Sequence, residues 1–330
     1  MTKLVILTEH ITNGDDAEGE ILSDGNGRMI KGICERQGID IADSVVLPVI
    51  REAGSSIFKF VGPQSQGIPQ SKPVMNGKYL LSEYGSDLEW LQEELLRLKP
   101  NLILGLGQIT LWLLTHERSL RKYRGSPINT KYGKFIATYS PRSVMGDFRL
   151  RPVIEADFHK AKKEMEFAGV QRPARELWID PTLEDLEAVD ERIMSCDMLS
   201  IDIETKTPQI THVGFATSPE WAIVVPFFTR AKPSRNYWPT LRDEVKAWEY
   251  VRRWCKNGKK IVGQNFNYDM AYLWKEYGIE LPNATEDTML LQHALQPEME
   301  KGLGFLGSLY SSEPQWKFMR ANKDTTKKED

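Results

Sequence analysis

The chain has 330 residues, 41% hydrophobic and 27% charged, with a formal net charge of −3. That balance is of a folded chain long enough for two ordinary domains; it excludes a disordered polymer and a protein drawn to nucleic acid by its total charge. Any nucleic-acid binding has to come from local basic patches. Cys34, Cys196 and Cys255 are odd in number and far apart, giving neither a zinc spacing nor a disulfide framework. This fits a reducing cytosol, so a cytoplasmic protein is expected. The apolar run at residues 1–7 is too short for a signal peptide or a membrane span, and reads as a first buried strand with no membrane role.

In chain order, residues 3–7 predict a strand, 28–37 a helix stopped by Gly38, and 44–49 a second strand. A Gln, Gly, Pro and Ser-rich loop spans 62–73, and Asp87 can cap a helix that runs to Leu98 before Pro100 ends it. Residues 102–106 form a short apolar run, followed by Gly107, a helix to Thr115 and a strand at 135–139. This alternation predicts a three-layer α/β/α domain with a mainly parallel sheet over residues 1–167. The Gly, Pro and Arg-containing stretch 168–176, AGVQRPARE, reads as a linker, and a second domain is expected over 177–330. There, a helix at 181–194 precedes strands around Asp202, at 211–217 and at 221–227, an antiparallel meander. A helix at 242–256 ending at Asn257-Gly258 and a strand at 260–263 follow, so the second sheet is mixed.

Two short stretches carry the chemistry. In LSIDIET (199–205), apolar Leu199, Ile201 and Ile203 alternate with Ser200, Asp202 and Glu204, which puts both carboxylates on one face of a strand. A solvated strand face is the bland reading of such a pair; a central strand makes unpaired acids costly. In VGQNFNYDM (262–270), Gly263 breaks a strand, Gln264 and Asn265 offer amides that can hold a nucleotide strand, and Tyr268-Asp269 opens a helix. Three carboxylates brought together, Asp202, Glu204 and Asp269, suit Mg²⁺ or Mn²⁺ and the two-metal cleavage of phosphodiesters. Asp287 stands before an apolar helical run and reads as a helix N-cap rather than a ligand, and His293 as a packed or surface histidine.

DIET (202–205) followed by GQNFNYDMAYL (263–273) resembles the first two motifs of the 3′–5′ proofreading exonuclease domain of family-A DNA polymerases, members of the DEDD superfamily. The resemblance extends to EDTMLLQH (286–293) and to KGLGFL (301–306), Tyr310 and Trp316-Lys317, a phage-type pattern. It implies an RNase H-like fold and a 3′–5′ exonuclease acting on single-stranded DNA or DNA 3′ ends with two Mg²⁺ or Mn²⁺ ions. By that likeness Asp202 bridges both ions, Glu204 serves the nucleophile side and Asp269 the leaving-group side. Thr205, Gln264 and Asn265 contact the terminal nucleotides, and Tyr268 belongs to the same binding set. The family also needs a fourth acid on a late helix. Asp324 and Asp330 lie in NKDTTKKED, which lacks the apolar periodicity to position one. The expectation is therefore a chain that stops before the third motif, completed by a polymerase chain or segment. The alternative is a DNA- or polymerase-binding fragment without turnover.

In the first domain KPNLILGLGQ (99–108), YRG (123–125) and ATYSP (137–141) resemble the uracil-DNA glycosylase superfamily, which phage polymerases often carry ahead of the exonuclease. TEHITNGD (8–15) replaces the glycine-rich first motif and Ser140 stands where a histidine precedes proline, so a non-catalytic glycosylase-like domain is expected. Gly105-Leu-Gly107 reads as a tight turn rather than a dinucleotide loop. Arg118, Arg121, Lys122, Arg124, Lys131, Lys134 and Arg142, interleaved with tyrosines, have the composition of a DNA-contacting patch and equally of a solvated surface; Arg121, Lys122 and Arg124 are its candidate contacts.

Overall fold

A computed structural model of the chain describes residues 2–206, 208–256, 259–311 and 313. Its contacts divide it into two units, one ending at Gln171 and joined by the described residues from Gly304 on, the other Arg172–Leu303.

In the first unit the opening apolar run becomes β1 (Leu4–Thr12). Thr12 and Asp24 then cap α1 (Asn13–Glu18) and α2 (Gly25–Arg36), before β2 (Val45–Gly54). A ribbon of β3 (Val61–Gly62) and β4 (Tyr79–Leu80) follows, then α3 (Gly85–Leu98) and β5 (Leu102–Leu106). Gly107 turns the chain into α4 (Gln108–Thr115), and α5 (Leu120–Tyr123) leads to β6 (Ile128–Thr130) and β7 (Gly133–Thr138). α6 (Pro141–Gly146) and α7 (Arg151–Glu164) complete this run. The sheet order is β2-β1-β5-β7-β6, parallel except for β6.

Period two explains why both faces are covered. Val5 and Leu7 of β1 pack with Leu91, Leu95 and Ile109, whereas Leu4 and Ile6 pack with Ile30, Ile33, Ile154 and Phe158. The unit is a three-layer α/β/α sandwich.

The second unit opens with β8 (Glu176–Trp178) and α8 (Leu183–Ser195), whose first turn is closed by a Thr182–Asp185 capping box. β9 (Met198–Lys206), β10 (Gln209–Ser218) and β11 (Trp221–Pro226) form the expected antiparallel meander. α9 (Leu241–Cys255), β12 (Lys260–Gly263), α10 (Asn267–Tyr277), β13 (Ala284–Asp287) and α11 (Thr288–Leu295) follow. The sheet runs β13-β12-β9-β10-β11-β8, with β12 parallel to both β9 and β13. This is the mixed sheet of an RNase H-like fold. One core holds it to α8 and α9, through Leu186, Val189, Ile193, Val251 and Trp254 against Leu199, Ile201 and Ile203.

α12 (Leu303–Tyr310) departs from the expected division, which carried the second domain through residue 330. From Gly304 its residues group with the first unit. Ser308 Oγ accepts from Arg124 Nη2 at 2.7 Å, the Ser308 carbonyl accepts from Lys160 Nζ, and the Arg124 guanidinium lies 5.2 Å from the Phe305 ring. Asn257, Gly258, Trp316, Lys317, Asp324 and Asp330 lie outside the described residues. No helix among the described residues is long and apolar enough to cross a membrane.

Candidate active site

β9 is central in its sheet, and its alternation divides it cleanly. Leu199, Ile201 and Ile203 enter the core, while Ser200, Asp202 and Glu204 are exposed together on the opposite face. β12 pairs with β9 only from Met198 to Ser200, so beyond Ser200 that edge of β9 has no strand beside it among the described residues. The chain turns at Gly263 instead, where a Cβ would stand 2.2 Å from the Phe266 ring; Asn265 adopts a left-handed φ of 54°. Asp287 holds this turn from the neighbouring strand end. Its Oδ1 accepts from Asn265 N at 3.0 Å and its Oδ2 from Phe266 N at 2.9 Å. The same carboxylate accepts from Met289 N at 2.8 Å, making the N-cap expected of it.

The turn directs α10 so that Asp269 Oδ1 accepts from Ile203 N at 2.9 Å. Ile203 lies between Asp202 and Glu204, so the third predicted acid is fixed to the backbone between the other two. Such a charge-assisted bond contributes roughly 1.5–3 kcal/mol and satisfies a strand amide with no ladder partner. Asp269 is only 5% exposed. Burial is the main cause that pushes its pKa up to about 6; the nearby Asp202 and Asp287 act in the same direction, and the Ile203 amide opposes them. Across the ladder from Glu204, His212 is held below the usual histidine range by burial, against the pull of Glu204.

A set of oxygen donors under mutual repulsion fits a hard divalent cation in kind. Among the described residues, no three His, Cys, Asp or Glu side chains are gathered closely enough to hold an ion as they stand. Asp202 and Glu204, exposed on their strand, would have to turn toward Asp269 to close on one.

The predicted nucleic-acid contacts meet different fates. Thr205 Oγ1 and the Tyr268 hydroxyl share a hydrogen bond of 2.8 Å, and the Tyr268 ring is half exposed, tilted against Tyr272 at 5.4 Å. Asn265 is exposed, with its backbone amide held by Asp287. Gln264 is spent on its own unit: Nε2 donates to the Lys301 carbonyl at 2.8 Å and Oε1 accepts from Thr288 Oγ1. In the first unit Arg121 and Lys122 are exposed on α5. Arg124 departs from the expectation of a DNA contact. It is wholly buried, 2.5 Å from Asp157, whose other oxygen accepts from Thr138 Oγ1 at 2.6 Å. Lys134 is likewise internal, paired with Glu164 at 2.6 Å and set 3.6 Å from the centre of the Phe167 ring. The basic cluster of the sequence is thus divided between surface and core. Sequence reasoning missed the second task of Asp287, because its distance from Asn265 in the chain hides that their strand ends are neighbours.

No protein-family model matches the chain, and no curated protein matches it. Among solved structures it is similar to the catalytic core of RRP6 from Trypanosoma brucei, at 17% identity and TM-score 0.32, covering 43% of this chain and 36% of that one. It is similar to Escherichia coli RNase D, an exoribonuclease involved in structured RNA processing, at 14% identity and TM-score 0.32, over 43% and 34% of the two chains. The Nibbler EXO domain of Aedes aegypti overlaps 48% of this chain and 82% of its own, at 9% identity and TM-score 0.32. The overlap spans only about a third of the first two proteins. Likenesses this loose leave the function to be argued from the site.

Proposed function

We propose that Asp202, Glu204 and Asp269 are the acids of a 3′–5′ exonuclease site acting on DNA ends, of the proofreading type found beside phage-like polymerases. The observation that carries this reading is the bond from Ile203 N to Asp269, which brings the acids of two separate motifs to one stretch of β9. Asp202 and Glu204 would supply carboxylate oxygens to two Mg²⁺ or Mn²⁺ ions, with Asp269 as the buried third acid. When bound, such ions polarise a phosphoryl oxygen and ease the ionisation of the attacking water. Water attacks the terminal phosphorus, the bond to the 3′ oxygen breaks, and a nucleoside monophosphate leaves. The half-exposed Tyr268 ring offers a stacking face for a terminal base, and its hydroxyl, held by Thr205, fixes that ring's place. The first unit is, on sequence likeness alone, a glycosylase-like domain without base excision, with Arg121 and Lys122 as its DNA contacts.

The absence of a gathered three-acid cluster among the described residues favours a second reading, a binding module completed by an acid from a polymerase chain or segment. Digestion of a 5′-labelled single strand in Mn²⁺ separates the two. A one-nucleotide ladder that disappears in Asp202→Ala supports the exonuclease. Retained DNA binding with no ladder from the unaltered chain rejects it in favour of the binding module.

A further inference from the structure

A cavity of about 570 Å³ opens in the first unit at the C-terminal ends of β1, β2 and β5, lined by Thr8, Gly54 and Leu106 among others. β1 lies between β2 and β5, and the chain crosses from β2 to the far side of β1. Strand order therefore reverses at this point, which is where open parallel sheets place small ligands.

The chemistry of the lining narrows what can enter. Helix N-termini usually make such crevices receptive to phosphate. Here the N-termini of α1, α2, α4 and α6 reach the cavity; Thr12 caps the first, and the other three are also capped by the chain itself. Glu9 Oε1 accepts from Ile109 N of α4 at 3.0 Å, Asp24 Oδ1 from Gly27 N of α2 at 2.7 Å, and Ser140 Oγ from Ser143 N of α6 at 3.3 Å. Gly107 makes the first of these possible: at φ 110° it lets the Glu9 carboxylate lie across its α-carbon, where a Cβ would stand 2.3 Å from Glu9 Cδ. A phosphate would meet carboxylates at two of its usual seats. Arg142, at the rim, turns its guanidinium to the Ser55 carbonyl. His10 donates through Nε2 to the Gly54 carbonyl at 3.2 Å, and burial lowers its pKa below the usual range, so its ring brings no charge at neutral pH.

Glu9 nevertheless keeps acceptor capacity. A carboxylate offers about four lone-pair sites, and the backbone amides of Ile109 and Gln108 do not exhaust them. Leu22, Ile57 and the exposed ring of Phe58 supply apolar lining to the same cavity. We infer that this cavity binds an unphosphorylated ring compound of nucleoside size bearing an exocyclic amine, the amine donating to Glu9 and the ring lying against Phe58 and Ile57. Burial pushes Glu9 up to about 7, so a donor that holds it ionised gains more there than at a solvated carboxylate. The site stands apart from the nuclease reading, which concerns the other unit.

Calorimetric titration of the full chain with adenosine, inosine and AMP tests this. Inosine replaces the amine by a carbonyl, and AMP adds the phosphate. Adenosine should bind roughly tenfold or more tightly than either, the loss expected when one bond to a charged group is removed. Glu9→Gln should weaken adenosine by about the same factor and narrow its lead over inosine, because an amide can both donate and accept. Thermal unfolding checks that the variant is folded. If it is not, Phe58→Ala, at an exposed side chain, should still weaken adenosine several-fold. AMP binding as tightly as adenosine, unchanged adenosine binding in both variants, or no saturation by adenosine at millimolar concentration would overturn the assignment.

Discussion

Asp269→Asn separates what the acid does for the fold from what it does for chemistry. The amide keeps the size of the side chain and an oxygen to accept from Ile203 N, and loses the charge. In the folded chain burial and Asp202 hold Asp269 at about 6, against an ordinary value of 3.8. The folded state thus binds this proton more tightly than the unfolded chain does. The stability from this group is full below pH 3.8, falls as the pH climbs toward 6, and leaves a constant penalty above that. At about 1.4 kcal/mol per pH unit, the penalty at pH 7 is on the order of 3 kcal/mol. Asparagine escapes it. In chelator at pH 7 the variant should be the more stable by up to that amount, a rise of roughly 5–10 °C in Tm, and the gain should shrink toward zero at pH 4. Urea unfolding followed by tryptophan fluorescence at the two pH values measures it. Added Mn²⁺ should stabilise the parent chain and not the variant, and Mn²⁺-dependent digestion should be lost. A variant no more stable than its parent at pH 7, or equally advantaged at pH 4, refutes the reasoning.

Asp287→Ala leaves the amides of Asn265, Phe266 and Met289 without their acceptor and should cost about 2–4 kcal/mol in urea unfolding; Asp287→Asn, which keeps an oxygen, should cost distinctly less. Arg124→Ala strands the buried Asp157 and should destabilise by about 3–5 kcal/mol, with Tm as the readout. Arg121→Ala with Lys122→Ala, at exposed positions of α5, should change stability by less than about 1 kcal/mol. If α5 touches DNA, the same pair should weaken single-strand binding and reduce its salt slope by roughly one to two, measured by fluorescence anisotropy over a salt series.

The strand carrying Asp202 was legible because its pattern is local: every second residue is apolar and the acids fall between. The helix carrying Asp269 was legible for the same kind of reason, since Gly263 stops one element and Gly278 ends the next. What the sequence hid depends on neighbours distant in the chain. α7 escaped notice because Asp157, Lys160 and Glu164 occupy buried positions and blur the apolar period; their partners, Arg124, the Gly125 carbonyl and Lys134, come from elsewhere. β13, only ATED, has no alternation to find, yet it is the strand that places Asp287 beside the Asn265 turn. Arg121 and Arg124 share one basic stretch, and composition cannot tell the exposed cation from the buried one.

A common device underlies the acids of both units. At strand-to-helix turns a carboxylate takes the amides that no ladder or helix satisfies. Asp15 accepts from Ser23 N and Asp24 N through one oxygen and from Thr12 N through the other, and Asp287 divides its oxygens among three amides in the same way. Backbone donors of this kind favour the charged form, and Asp15 is held below the usual aspartate range despite its burial. Asp269 accepts from one distant amide, Ile203, and stays above the usual range because burial and a neighbouring acid outweigh that bond. The sign of the shift therefore sets Asp15, which serves its turn, apart from Asp269, the buried acid proposed for the site. Neutralising Asp15 removes a stabilising charge, whereas neutralising Asp269 relieves a destabilising one. A charge that lowers stability where it stands is the one a divalent cation would have reason to meet.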